Sequence, residues 1–194
     1  MPEQGWICAK KIKYRMVVTH AYTKMSHLWE NGAEAVIDGG YRVKNQKAFY
    51  DDYDFGGAFA NYLDSELKTW SFTPRLIIPH ALFKAQAQTI AGIDCYDSRY
   101  DSDRSLNPDT RNQPIHRVGI EQKSGALYLD TTFSPTGDTS VNLGGRLQWV
   151  RIDASDRVDT TAPGGSFASE APDLDQTERV EMFEAGVEKQ LTPQ

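Results

Sequence analysis

The stretch IHRVGIEQKSGALYLDTTF, residues 115–133, decides the predicted fold class, because apolar and polar residues alternate in it as in half-exposed β-strands. Val118 and Ile120 alternate with polar residues in its first part, and Leu127 and Leu129 do so in its second. The intervening KSG ends in Gly125, which can take the left-handed conformation of a bulged turn. We therefore predict an antiparallel hairpin between residues 115–122 and 126–133.

The following residues extend this hairpin into a meander. Residues 140–143 (SVNL) and 146–152 (RLQWVRI) flank the pair Gly144-Gly145, which favours a second tight turn. Two further segments nearer the N-terminus have strand character. Residues 12–18 alternate apolar side chains with cations, as an edge strand does, and residues 33–44 read as a hairpin around Gly39-Gly40.

Helices are predicted in the middle of the chain. In residues 55–70 the apolar residues fall at i, i+3, i+4 and i+8, which is one face of a helix, and they are Phe59, Tyr62, Leu63 and Leu67. The alanine-rich residues 80–91 predict a second helix, with Gly92 just past its end. A single helical turn is expected at residues 26–31, where Ser26 can cap it.

The C-terminal part reads as a linker and an arm. Residues 153–175 are rich in Asp, Ser, Thr, Pro and Gly, and residues 176–194 predict an amphipathic helix. Its apolar stripe is Val180, Phe183, Val187 and Leu191. A helix this short is marginal alone in water, so we expect the stripe to dock on a neighbouring subunit or on its own domain.

These elements predict an α+β fold. It consists of an antiparallel β-meander or sandwich-like sheet with two central helices and an extended C-terminal arm. The predicted division is a core domain over residues 1–152, a polar acidic linker over 153–175 and an arm helix over 176–194.

The composition narrows the class of protein. The formal net charge of −6 argues against bulk attraction to nucleic acid or to an anionic membrane. Cys8 and Cys95 have no metal-binding spacing and are expected to be free thiols. The N-terminus lacks the pattern of a signal peptide, and no apolar run is long enough to span a bilayer as a helix. We therefore expect a soluble protein made in the cytoplasm, with no membrane partner.

An acidic loop is the candidate metal site. Oxygen-bearing residues recur at alternate positions in residues 101–109, and the candidate ligands are Asp101, Asp103, Asn107 and Asp109. Leu106 stands where an EF-hand loop needs glycine, and Asn112 stands where its bidentate glutamate belongs. A solvated loop held by Asp–Arg pairs and Asx-turns is the simpler interpretation.

A basic N-terminal strand is the candidate nucleic-acid surface. Its cations are interleaved with aromatic residues, as on surfaces that bind single strands, and they are Lys10, Lys11, Lys13 and Arg15. Alternation places Tyr14 on the face opposite these cations, which weakens this interpretation.

No catalytic motif accompanies these features. The sequence contains no GxSxG, Walker, GxGxxG or HExxH pattern, so we expect a non-enzymatic protein without a cofactor. The leading hypothesis is a structural assembly protein that contacts neighbouring subunits through exposed strands and the arm. Its concrete form is a bacteriophage virion component of the head, connector or tail. The alternatives are a single-stranded nucleic-acid-binding module and a small protein that binds a ligand or a divalent cation.

Overall fold

The computed structural model describes residues 12–50 and 62–190, which form one seven-stranded antiparallel sheet. The order of the strands in the sheet is their order along the chain. The strands are β1 (Ile12–Leu28), β2 (Glu34–Tyr50), β3 (Tyr62–Leu82), β4 (Ala85–Ser105), β5 (His116–Thr136), β6 (Thr139–Val158) and β7 (Leu174–Lys189). Two short 3-10 turns, Pro108–Thr110 and Gly165–Phe167, are the helical elements of the described residues. The predicted α+β class is therefore wrong.

The predicted glycine turns lie inside long strands. Gly39-Gly40 is in β2, residues 123–125 are in β5, and Gly144-Gly145 is in β6. The actual turns are residues 29–33, 83–84 and 137–138. At the second of these, Phe83 and Lys84 both have positive φ, as the two central residues of a type I′ hairpin turn require.

The predicted helices are strands and turns wherever the structure describes them. Residues 62–70 of the first helix belong to β3, and its earlier residues lie outside the described ranges. Residues 80–91 contain the end of β3, a turn and the start of β4. The predicted arm helix is β7, which pairs with β6, and the domain boundary predicted at residue 152 falls within β6.

The register assigns every strand residue to one of two faces. The face that carries Leu127, Leu147 and Trp149 is called the first face. The face that carries Tyr128 and Arg146 is called the second face. The turns join the strands at one end of the sheet, and longer connections, residues 106–115 and 159–173, join them at the other. We call the corresponding parts of the sheet the turn half and the loop half.

The apolar side chains change face between these two halves. In β5, Val118 and Ile120 in the loop half are on the second face, whereas Leu127 and Leu129 in the turn half are on the first. The same change occurs in β6 between Trp149 and Val150. It interrupts the period of two in mid-strand, and this is why one continuous strand resembles two short strands separated by a turn.

The same change of face imitates helical spacing. In β7, Val180 is on the second face, while Phe183 and Val187 are on the first. In β3, Leu67 is on the second face and Trp70 is on the first. A strand that changes its apolar face places apolar residues three apart, which is also the spacing of neighbours on a helix surface.

Some glycines within the strands accommodate large cross-strand neighbours. The Trp149 indole lies across Gly125, so that a β-carbon at residue 125 would be 2.6 Å from Trp149 Cε2. Gly145, on the same face of β6, has more room, since its nearest atom would be Phe183 Cδ1 at 3.7 Å. Gly125 therefore provides space for the indole.

We predict that Gly125→Ala lowers the free energy of unfolding by about 1–3 kcal/mol, because the indole must move away from the added methyl group. Gly145→Ala is the matched control and should change it by less than about 0.5 kcal/mol. Urea unfolding followed by tryptophan fluorescence measures both values. Equal effects of the two substitutions would contradict the packing described here.

Candidate functional site

The turn half of the first face is an apolar band. The first face has no Asp, Glu, Lys or Arg between Val17 and Met25 in β1 or between Ala35 and Tyr41 in β2. The same is true of residues 70–82 in β3, 85–95 in β4, 125–133 in β5 and 141–149 in β6. The band continues over β7 from Phe183 until Lys189, at the end of that strand. Its large members are exposed, and they include Phe72, Ile93, Leu127, Leu129, Leu143 and Phe183.

Aromatic residues border the band. Tyr41 and Trp70 face each other where the band meets the loop half, with ring centroids 4.3 Å apart, and Trp149 has a similar place on β6. Trp29 and Phe83 lie in the turns at the other end. From Trp149 to Val141 the band extends for roughly 26 Å along the strand, at about 3.3 Å per residue. Such a length suits a strand that crosses a bilayer at a tilt.

Charged residues occupy the second face opposite this band. Arg75 Nη1 donates to Asp38 Oδ2 at 2.8 Å, and the Tyr22 hydroxyl donates to the other oxygen of the same carboxylate. Arg146 Nη1 donates to Asp94 Oδ2 at 2.6 Å. The Asp38 and Asp94 side chains are only 13% and 15% exposed, so both carboxylates are largely removed from solvent.

Tyr128 lies between the two arginines in the sheet. Arg75, Gly92, Tyr128 and Arg146 are consecutive cross-strand partners in one row. The Tyr128 ring covers Gly92, and the Arg146 guanidinium carbon is 5.8 Å from the ring centroid. The second face therefore carries a connected polar cluster, whereas the first face at the same height is apolar.

The loop half reverses this arrangement. Its first face carries exposed ion pairs, such as Lys47–Asp64 at 2.7 Å and Arg157–Asp173 at 2.9 Å. Its second face is the more apolar one, and its members include Leu67, Val118, Ile120, Val150 and Ile152. The first face is therefore suited to hydrocarbon only in the turn half.

The connections of the loop half that the structure describes are locally ordered. Asn107 caps the turn Pro108–Thr110 by accepting from the backbone N–H groups of Asp109 and Thr110. Ile115 is buried beneath Gly164, whose positive φ suits glycine. The Thr161 hydroxyl and backbone N–H both donate to Asp159 and lower the pKa of that carboxyl group.

The predicted arm residues do not form one stripe. Val180 lies on the second face of β7, Phe183 and Val187 lie on the first, and Leu191 is outside the described residues. That these residues bind a partner remains a prediction, as do the predicted contacts with protein subunits.

The predicted basic surface is described only in part. Lys13 and Arg15 are on the first face at the start of β1, facing Phe49 and Lys47, and Tyr14 is on the second face. Lys10 and Lys11 lie outside the described residues. Nucleic-acid binding by these cations remains a prediction.

The residues of the predicted metal loop lie in two different elements. Asp101 and Asp103 are on the first face of β4, and Asp101 accepts from Arg99 at 3.1 Å. Asn107 and Asp109 belong to the following turn. Over residues 12–50 and 62–190 there is no group of three or more His, Cys, Asp or Glu side chains that could hold a metal ion. Cation binding remains a prediction.

The comparison with protein families gives these features a context. The family model described as "TonB dependent receptor-like, beta-barrel" matches residues 13–189. The chain belongs to this family. The match spans all seven strands almost from end to end, so it concerns the same sheet that carries the apolar band and the polar cluster.

This membership corrects four predictions from the sequence. TonB-dependent receptors are outer-membrane proteins, so these predictions are wrong. They are the bacteriophage assembly role, the virion or cytoplasmic location, the associated description as a virion protein, and the absence of a membrane partner. No curated protein matches the chain. Among the described residues, no helix is long and apolar enough to cross a membrane.

We predict that Asp94 and Arg146 are energetically coupled, because removing either charge leaves the other without its partner, and the Asp94 carboxylate is largely buried. A double-mutant cycle with Asp94→Asn and Arg146→Gln should give a coupling energy of about 1–2 kcal/mol in urea unfolding. The exposed pair Arg151–Asp153 is the control, and its coupling should be below about 0.5 kcal/mol. A coupling at Asp94–Arg146 no larger than that of the control would contradict the role given to this pair.

Proposed function

We propose that the chain forms part of the wall of an outer-membrane β-barrel receptor or transporter. In this proposal the turn half of the first face contacts lipid, and the second face lines the lumen. The single observation that supports it best is the apolar band, whose first-face positions carry no Asp, Glu, Lys or Arg before Lys189. A water-soluble sheet has no physical reason to expose so continuous an apolar surface.

The polar cluster supports the same orientation. Strands of outer-membrane barrels alternate apolar residues toward lipid with polar residues toward the lumen. Asp38, Arg75, Asp94 and Arg146 all point away from the apolar band, and their ion pairs satisfy charges that hydrocarbon could not solvate.

The connections support a direction across the membrane. Such barrels have short turns on the periplasmic side and longer loops on the extracellular side. Residues 29–33, 83–84 and 137–138 are then periplasmic, and the connections 106–115 and 159–173 are extracellular. The ion pairs on the first face of the loop half would lie in water above the membrane.

Quenching of Trp149 by lipids with brominated acyl chains tests the proposal. The protein, with Trp6, Trp29 and Trp70 replaced by Phe, is incorporated into vesicles of these lipids. The Trp149 fluorescence should be strongly quenched, because the indole lies on the lipid-facing side of β6.

The matched control moves the indole by one residue. In that variant Trp149→Phe is combined with Val150→Trp, so that the only tryptophan lies on the second face of the same strand. Its quenching should be several-fold weaker. Equal quenching at the two positions, or none at either, would refute the proposed orientation.

We also predict that Leu147→Arg destabilises the protein in lipid vesicles by about 1–3 kcal/mol, because Leu147 lies between the border of the band at Trp149 and the bilayer midplane, where an arginine costs about 2–4 kcal/mol. Ser155→Arg, on the same face of the same strand but in the loop half, should cost less than about 0.5 kcal/mol. Reversible urea unfolding in vesicles measures both. A similar cost for the two substitutions would show that the band does not contact hydrocarbon.

A further inference from the structure

We propose that the first face holds a phosphate-bearing lipid between Lys123, Arg151 and Arg179, with an acyl chain in the groove beneath them. This inference depends on the proposed lipid contact of the apolar band and adds a specific lipid site to it. Its parts are a cluster of cations, an indole at the border of the band and an open apolar groove.

The cations occupy neighbouring places on three adjacent strands. Lys123 on β5 is directly opposite Arg151 on β6, and Arg179 on β7 is directly opposite Trp149. Like charges directly opposite each other in a sheet destabilise it. An anion between Lys123 and Arg151 would remove this repulsion, and a phosphate accepts well from guanidinium and ammonium groups.

Carboxylates nearby compete for these cations only in part. Arg151 contacts Asp153 at 3.1 Å and Asp175 at 3.2 Å, and Arg179 contacts Glu181 at 2.7 Å. All of these side chains are well exposed, and exposed ion pairs contribute little. Within the described residues Lys123 forms no ion pair, although Asp97 is its cross-strand neighbour on β4. The cations therefore remain available to a phosphate.

The groove lies below the cations on the same face, with Arg179 at its border and the pair Gly125–Trp149 between it and the pair Lys123–Arg151. It has a volume of about 380 Å³, and the first-face side chains that line it are Leu127, Leu129, Gly145, Leu147 and Phe183, with Arg179 and Glu181 at its border with the loop half. Gly145 leaves its floor open, because the nearest atom to an added β-carbon would be 3.7 Å away. An apolar groove that begins at a cationic cluster matches the two parts of an anionic lipid.

The height of the three cations relative to the bilayer fits the phosphate group of a lipid. Trp149 marks the border of the apolar band, and indoles favour the interface of a membrane. Arg151 is the next first-face residue of β6 toward the loop half, at the height of lipid headgroups. At this height the lipid phosphate stays at the membrane surface and only the acyl chain lies in the hydrocarbon, so no charge has to enter the hydrocarbon.

Native mass spectrometry of the protein in mild detergent, titrated with phosphatidylglycerol and with phosphatidylcholine, tests the proposal. The wild-type protein should retain phosphatidylglycerol preferentially. Lys123→Gln combined with Arg151→Gln should weaken its binding about tenfold or more, because two charge-assisted contacts are lost.

The matched control is Arg117→Gln combined with Arg157→Gln. These arginines are also directly opposite each other on the first face of β5 and β6, but they lie near the loops and far from the groove. The control should bind phosphatidylglycerol within about twofold of the wild type, because neither arginine lies near the groove or the three cations. Equal losses in both variants, or no loss in either, would overturn the proposal.

A groove variant separates a lipid from free phosphate. Gly145→Leu fills the groove and should weaken phosphatidylglycerol binding while leaving competition by inorganic phosphate unchanged. If inorganic phosphate binds at Lys123 and Arg151 but Gly145→Leu has no effect on the lipid, the lipid proposal is wrong. Failure of this proposal leaves the Trp149 quenching intact, whereas failure of the proposed function abolishes that quenching.

Discussion

Pairing of the backbone along seven long strands, interrupted at residues 73–74 of β3 and 134–135 of β5, is the constraint on which the rest of this structure depends. In hydrocarbon each unpaired N–H or C=O group costs several kcal/mol, so a spanning strand cannot be interrupted where its side-chain pattern changes. With the ladder fixed, side chains alternate strictly between two faces. The chain can therefore adapt to lipid at one height and to water at another only by changing which face carries its apolar residues.

This change of face explains where reading of the sequence succeeded and where it failed. Residues predicted as strands by their alternation, such as 126–133 and 146–152, do lie in strands. Two of the errors occur where the apolar side chains change face. The shift in β5 was read as a turn at Gly125, and the shift in β7 was read as a helix through Val180, Phe183 and Val187. Local pattern alone cannot distinguish these cases, because pairing with a neighbouring strand decides between them.

The candidate site was less accessible to sequence reasoning than the fold. Asp38 and Arg75 are 37 residues apart, and Asp94 and Arg146 are 52 apart, so only the register brings each pair together. The apolar band had a detectable signal, since alternate residues from Gly125 to Phe133 and from Val141 to Trp149 carry no charge. That signal is weak in any one strand and becomes clear only when facing strands are aligned.

A spin-label scan of β5 from residue 117 to residue 133, in vesicles, measures which side chains of this strand contact lipid and which contact water. Each position carries a single cysteine in a protein whose Cys8 and Cys95 are replaced by Ser. We predict that oxygen in the lipid reaches the odd-numbered positions from 125 to 133, while a water-soluble nickel complex reaches the odd-numbered positions from 117 to 123. Oxygen accessibility at the even-numbered positions, or the same lipid exposure along the whole strand, would contradict it.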